Sequence, residues 1–294
     1  LLLGAVAGRS RVDTVELFGP PARTLVITAA PLGAGSGAVA VIDDVTERRH
    51  LEAVRRDFVA NISHELKTPV GALSLLAETI SDASDDPEAV RRFTARMKHE
   101  ADRLTSLIQD LITLSRIQGA EPLSEPAEVA LDTVVEESLD AVRTAADTKN
   151  IELVSGGAEG VSVMGDEGLL ITALRNLVAN AVSYSPENTR VAVSVRTAPA
   201  SVEISVADQG IGIPPQDLER IFERFYRVDA ARSRATGGTG LGLAIVKHVM
   251  TLHRGEVTVW SKEGEGSTFT LRLPRSETPE PSGSTANSYR EAAQ

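Results

Sequence analysis

Hydrophobic positions recur every three or four residues through two long stretches of the chain. In the first, Leu51, Val54, Phe58, Ile62, Leu66, Leu73 and Leu76 fall on one stripe, which predicts an amphipathic helix over residues 47 to about 80. In the second, Val90, Phe93, Met97, Ala101, Leu104, Ile108 and Leu111 follow a near-heptad spacing. The acidic stretch 81–87 between them reads as a turn, with Asp86 suited to a helix N-cap and Pro87 to the first helical position. Pro69 lies inside the first helix, where it removes one backbone bond and crowds the carbonyl of Glu65, so a kink is expected there. Two amphipathic helices make half of a bundle. Pairing with a second copy would complete four helices and bury both seams.

Elsewhere the period shortens to two. Residues 24–30 and 38–45 are β-branched or small apolar runs separated by Pro31 and a glycine-rich turn, and predict a hairpin with Thr46 as the N-cap of the following helix. Two strands cannot bury a core alone, so residues 1–45 read as the end of a larger sheet domain. After a linker at 120–126, helix and strand patterns alternate over about 127–274 in an α/β manner. Asp132 and Asp166 are placed to cap helices, and residues 151–154 and 161–164 read as short strands. Val191, Val193 and Val195, then Val202, Ile204 and Val206, alternate along two more. A helix over about 241–252 leads into a hairpin whose strands are joined through Glu263-Gly264-Glu265-Gly266. Residues 275–294 are rich in Ser, Pro, Thr and Glu and are expected to be disordered.

Composition narrows the chemistry. With 294 residues and 42% apolar side chains, the chain can build more than one core. It has no cysteine, which excludes disulfides, thiolate metal sites and a cysteine nucleophile. A formal charge of −11 argues against a general nucleic-acid binder. No apolar run approaches the roughly 20 residues of a membrane-spanning helix. The chain begins without Met and enters structured-looking sequence at once, so it reads as a fragment.

Against this background a few polar residues stand out. At about 100° per residue, His64 lies roughly 200° from both Ile62 and Leu66, facing away from the stripe. Its neighbours on that face are Asn61, Lys67, Thr68 and Gly71, polar or small, so either a solvated face or an approach surface is consistent with the pattern. Asn176 and Asn180 stand at i and i+4 on an otherwise apolar helix, either as surface amides or as oxygen ligands for Mg²⁺. Asp208-Gln209-Gly210-Ile211-Gly212 follows a strand, where Asp208 could accept from an exocyclic amine or simply form an Asx turn. Gly238-Thr239-Gly240-Leu241-Gly242-Leu243 opens a helix whose N–H groups suit an anion. It lacks the Lys-Ser/Thr of a P-loop, and no strand precedes it as a dinucleotide fingerprint requires. Arg232 and Arg234, in a lid over about 227–239, could meet phosphate charge. His50, His99, His248 and His253 show no metal spacing, and the last two suit a helix end as cations.

Taken in order, the His64-Glu65-Leu66-Lys67-Thr68-Pro69 box, the Asn176/Asn180 box, the Asp208 to Gly212 box, Phe222-Glu223-Arg224-Phe225 and the Gly238 to Leu243 box resemble those of sensor histidine kinases over residues 46–274. As a whole the sequence is similar to actinobacterial phosphate-responsive members. The resemblance implies a multi-domain α and α+β chain. Residues 1–45 would be the end of a PAS-like sensor domain, and 46–119 a signalling helix and helical hairpin dimerising into a four-helix bundle. Residues 120–274 would form a Bergerat-type α/β sandwich ATP-binding domain. His64 would be the phosphoacceptor, Glu65 the adjacent acid and Thr68 a dephosphorylation residue. Asn180 would hold Mg²⁺ with Asn176 assisting, Asp208 would read adenine and Tyr184 pack near the base. Gly210, Gly212, Gly238, Gly240, Leu241, Gly242 and Arg232 would shape the nucleotide site. Ser183 departs from the family, where a basic residue is common.

The resemblance further implies ATP and Mg²⁺ as cofactors, a homodimer, a response-regulator partner, no nucleic acid, and the cytoplasmic portion of a membrane-anchored parent, in phosphate-starvation signalling. Rival readings are an ATP-driven conformational machine, or a nucleotide-gated scaffold or phosphatase. An imidazole near its reference pKa of about 6.5 is largely neutral at pH 7 and nucleophilic, so the chemistry is coherent with the family.

Overall fold

A computed structural model describes residues 9–32, 37–118, 123, 126–228 and 238–275, without the side chains of residues 54, 55 and 57. The chain divides into two units, Leu1–Ser74 and Leu75–Gln294. The expected disordered tail, most of the linker, and the lid arginines Arg232 and Arg234 lie outside the described residues.

In the first unit, three antiparallel strands, β1 (Arg11–Leu17), β2 (Arg23–Pro31) and β3 (Ala38–Asp44), pair in sequence order. The predicted hairpin is β2–β3, and β1 extends it. Helix α1 (Thr46–Asp82) follows directly. Thr46 is its first residue rather than its cap: Asp44 Oδ1 accepts the Thr46 N–H at 3.1 Å, and the Thr46 hydroxyl instead accepts from Thr24 N–H at 2.8 Å, tying strand to helix. The helix continues through Pro69, because a single lost bond costs less than breaking a helix this long. Phe58, Ile62, Leu66 and Leu73 are half-buried.

The second unit takes in helix α2 (Pro87–Gln118), begun as expected by Pro87 with Asp86 Oδ1 accepting from Glu88 and Ala89 N–H at 3.0 and 3.1 Å. Its fully buried residues near the C-terminus are Leu107, Leu114 and Ile117. These lie off the predicted seam, whose Ile108 is 45% exposed. Helix α2 thus carries a second apolar face, and that face is met by the last helix of the unit.

The remainder is a two-layer α/β sandwich. Its elements are β4 (Ala127–Ala130), α3 (Leu131–Asp140), α4 (Arg143–Thr148), β5 (Glu152–Gly157), β6 (Ser162–Gly165), α5 (Glu167–Tyr184), β7 (Arg190–Thr197), β8 (Ser201–Ala207), α6 (Gly242–Leu252), β9 (Glu256–Lys262) and β10 (Gly266–Pro274). The five-stranded sheet has order β5-β7-β8-β10-β9, parallel between β5 and β7 and antiparallel elsewhere, while β4 pairs with β6. Period-two alternation turns Val191, Val193, Val195, Val202, Ile204, Val206, Phe269 and Leu271 inward. Helix α5 lies between α3 and α6, and α5 and α6 cover the sheet. Asp166 caps α5 as expected, accepting from Leu169 N–H at 2.9 Å. Asp132 does not cap α3; it lies in the first turn and accepts from Gly160 N–H at 2.8 Å.

Candidate functional site

At the end of β8 the chain turns sharply beneath the C-terminus of α5. Asp208 Oδ1 accepts from Gly210 N–H at 2.8 Å and from Ser267 N–H at 3.1 Å. Its own N–H donates to Ser267 O at 2.9 Å. Burial pushes the Asp208 carboxyl up, and the two backbone donors oppose this. Oδ2 takes no protein hydrogen bond among the described residues. One oxygen therefore holds the turn while the other is available to a donor. A Cβ on Gly210 would sit 2.9 Å from the Tyr184 carbonyl, so this turn packs directly on the end of α5.

Gly212 has φ +70, and a Cβ there would lie 2.1 Å from Lys262 O. Only glycine admits both the angle and the approach. Ile213 N–H donates to Ser261 Oγ at 2.9 Å, and Ser261 Oγ meets Ser267 Oγ at 2.9 Å. Ser261 and Ser267 thus fix the Asp208 turn from the β9–β10 hairpin. The sequence reading missed both, having taken 263–266 as a plain connection. Ser267 shares the inward register of Phe269 and Leu271, and a polar side chain in that register was the available signal.

Along α5, Asn176 and Asn180 are half-buried on one edge, one turn apart. Asn176 Nδ2 donates to Thr172 O at 2.9 Å, and its Oδ1 faces Gly242, where a Cβ would come within 2.9 Å. The Asn180 amide has no protein hydrogen bond among the described residues. Tyr184, 37% exposed, ends the helix, and a Cβ on Gly238 would be 3.8 Å from its hydroxyl. Lys149 Nζ donates to the carbonyls of Val182, Ser183 and Ser185 at 2.9, 2.8 and 3.2 Å. A cation thus caps the end of α5 that carries Ser183, and this too was not read from the sequence.

The glycine loop is tied to the Phe222 to Phe225 box: Phe225 N–H donates to Gly240 O at 2.8 Å. Gly240 has φ +73 with room for no side chain against Phe225. Leu241 is fully buried and anchors the start of α6. Thr239 Oγ1 donates to Asp110 Oδ2 of α2 at 2.7 Å and accepts Leu241 N–H at 3.2 Å. Burial pushes the Asp110 carboxyl up, opposed by the Thr239 hydrogen bond and the charge of Arg175.

The structure thus brings Asn176, Tyr184, Asp208, Gly210, Gly238 and Gly242 to one end of the sandwich. In the other unit, His64 is exposed on α1 and Glu65 is half-buried beside it. Thr68 Oγ1 donates to the His64 carbonyl at 3.2 Å, the back-bond that a threonine makes inside a helix. His253 departs from its expected place as a cation at a helix end. It is 5% exposed, Nε2 accepts Asp166 N–H at 3.0 Å, and Nδ1 lies 2.8 Å from Val249 O. Burial holds it below the usual imidazole range.

An exposed histidine on a long helix and an α/β sandwich with an aspartate turn, paired asparagines and a glycine-led helix define a class of two-domain phosphotransfer proteins. Comparison with known families agrees. Residues 54–120 match the His Kinase A (phospho-acceptor) domain, and 165–277 match the histidine kinase-, DNA gyrase B-, and HSP90-like ATPase. The chain belongs to the two-component sensor histidine kinases. It is 54% identical over 243 residues to the sensor-like histidine kinase SenX3 of Mycolicibacterium smegmatis, covering 83% of this chain and 63% of that protein. It is 37% identical over 235 residues to the phosphate regulon sensor protein PhoR of Pseudomonas aeruginosa, covering 79% and 53%. The full-length ShkA structure in complex with AMPPNP is similar at TM-score 0.54 and 28% identity, over 75% of this chain and 46% of that one. The histidine kinase ThkA, solved with the response regulator TrrA, shares the fold at TM-score 0.64 and 22% identity, over 93% and 83%. Among the described residues no helix is long and apolar enough to cross a membrane.

Proposed function

We propose that this chain uses ATP to phosphorylate His64 and passes the phosphoryl group to an aspartate of a separate response regulator, from which it also assists dephosphorylation. The observation that carries this reading is the Asp208 turn, where a largely buried carboxylate spends one oxygen on the fold and keeps the other for a ligand donor. An adenine amine is such a donor, and Tyr184 stands beside the same turn. The AMPPNP complex of ShkA, a similar fold, supports a nucleotide here.

The donor set also fits a magnesium–polyphosphate. Asn180 offers an amide oxygen with no protein partner among the described residues, the ligand type a hard cation takes. Asn176 is held by Thr172 and Gly242 on the same edge. Magnesium would neutralise phosphate charge as it develops. A ring nitrogen of His64 attacks the γ-phosphorus, an N–P bond forms as the P–O bond to ADP breaks, and Glu65 stabilises the imidazolium or accepts its proton. Thr68, one turn along α1, positions the water that attacks the phosphorus of the partner's aspartyl phosphate, breaking the acyl P–O bond and releasing inorganic phosphate. Kinship with a phosphate regulon sensor supports phosphate limitation as the circuit, and the β1–β3 sheet is read as the end of a PAS-like sensor.

The test is incubation of the chain with γ-labelled ATP and Mg²⁺. An acid-labile, alkali-stable label is expected, absent from His64→Gln. Label that persists in the variant removes His64 as acceptor, and ATP turnover with no label favours a conformational machine instead. Asn180→Ala is expected to lose magnesium-dependent binding; unchanged affinity removes Asn180 from the metal.

A further inference from the structure

The bond between Thr239 and Asp110 joins elements that the family models place in different domains, since α2 lies in the phosphoacceptor match and the 238–241 loop in the ATPase match. A single hydroxyl couples the start of α6 to a carboxylate on α2, because Thr239 Oγ1 also accepts Leu241 N–H. Helix α6 has no cap from the side chain at its N-cap position, so Thr239 takes an N–H of the kind through which a helix start receives phosphate. The bond is set on apolar packing between α2 and α6, with Leu107 and Leu114 of α2 buried. Arg175 is the cation acting on Asp110. Bringing a polyphosphate to this loop would set like charge beside a carboxylate already drawn out of water.

We infer that Asp110 is a brake on the nucleotide loop: its bond to Thr239 holds residues 238–241 in an arrangement that opposes the nucleotide's phosphates, and nucleotide binding loosens it. The inference rests on the nucleotide reading of the site. Coupling of this kind is reciprocal, so a filled site also weakens the hold of the loop on α2. The bond thereby reports nucleotide occupancy to the helix that carries half of the phosphoacceptor hairpin.

The test uses the full chain and equilibrium binding of MgATP, MgADP and adenosine. Asp110→Asn keeps an acceptor and drops the charge, Asp110→Ala drops both, and Asp102→Ala, exposed on the same helix, is the control. Both Asp110 variants are expected to bind MgATP more tightly, on the order of fivefold, with a smaller gain for ADP and none for adenosine, which has no phosphate. Weaker or unchanged MgATP binding in both variants overturns the brake, as does an equal gain for adenosine. Wild-type chain that binds no nucleotide overturns the site reading itself. Loss of binding in Asp208→Asn beside unmoved Asp110 variants overturns the brake alone.

Discussion

Asp208 satisfies two descriptions at once. Its Oδ1 closes an Asx turn onto Gly210, the structural role such a residue has in any loop, and its Oδ2, which takes no protein hydrogen bond among the described residues, is the oxygen proposed to meet the nucleotide. Asp208→Asn can keep the first role, since the amide oxygen accepts from Gly210 and Ser267, while its NH₂ then faces the donor that Oδ2 would have met. Nucleotide affinity is expected to fall by about 2 kcal/mol, roughly thirtyfold. Because burial raises the Asp208 carboxyl, the ionised form weighs against the fold at neutral pH, so the variant should melt no lower than wild type. Unchanged ATP binding by calorimetry would end the adenine assignment. The dual role also explains why the sequence left turn and site equally open at Asp208: the residue type and spacing are common to both. The second backbone donor that ties Oδ1 to the fold comes from Ser267, brought opposite by the β8–β10 register from 59 positions away and so beyond any local rule.

At the scale of elements, periodicity was the reliable guide wherever one face of an element meets one core. The strands β7 and β8, the α2 start at Asp86-Pro87 and the α5 cap at Asp166 all follow local rules and were legible. The pattern was misleading where an element serves two faces or a polar group has a distant partner. Leu107 and Leu114 of α2 were invisible beside the dominant seam, Asp132 and Thr46 bond across elements rather than to their own helices, and His253 joins α6 to the start of α5. That last link has a pH signature. His253 Nε2 accepts from Asp166 N–H while Nδ1 faces a carbonyl, so the ring is neutral with its proton on Nδ1, and a second proton would set two N–H groups head to head. Its pKa is lowered by burial, so the unfolded chain binds the proton more readily. The contribution of His253 to stability is full above the unfolded imidazole value near 6.5 and declines as pH falls below it. Melting temperatures recorded from pH 7.5 to 5.5 should drop in wild type and drop less steeply in His253→Gln. Parallel curves would show that His253 does not carry the link.

At the scale of the molecule, the helices retain apolar surface that one chain does not cover. Val59, Val70 and Leu75 of α1 are 56, 51 and 64% exposed, and Ile108 and Ile112 of α2 are 45 and 42% exposed. Ile108 and Ile112 are one turn apart and share a face, turned about 130° round the helix from the buried Leu107 and Leu114. A long helix keeping such a stripe in water forgoes about 25 cal/mol for each Å² of apolar surface left uncovered, and a second copy meeting the same stripe is the symmetric way to cover it. A homodimer through α1 and α2 is therefore the expected state. Light scattering on the wild-type chain at tens of micromolar should give twice the 31.2 kDa chain mass. The double variant Ile108→Glu/Ile112→Glu should shift it to the single mass, since paired carboxylates cannot be buried without partners. The α/β sandwich does not rest on those two side chains, so nucleotide binding should survive the change. A variant that remains dimeric would place the contact elsewhere, and one that loses nucleotide binding as well would mean that the α2 surface supports the sandwich rather than a second copy.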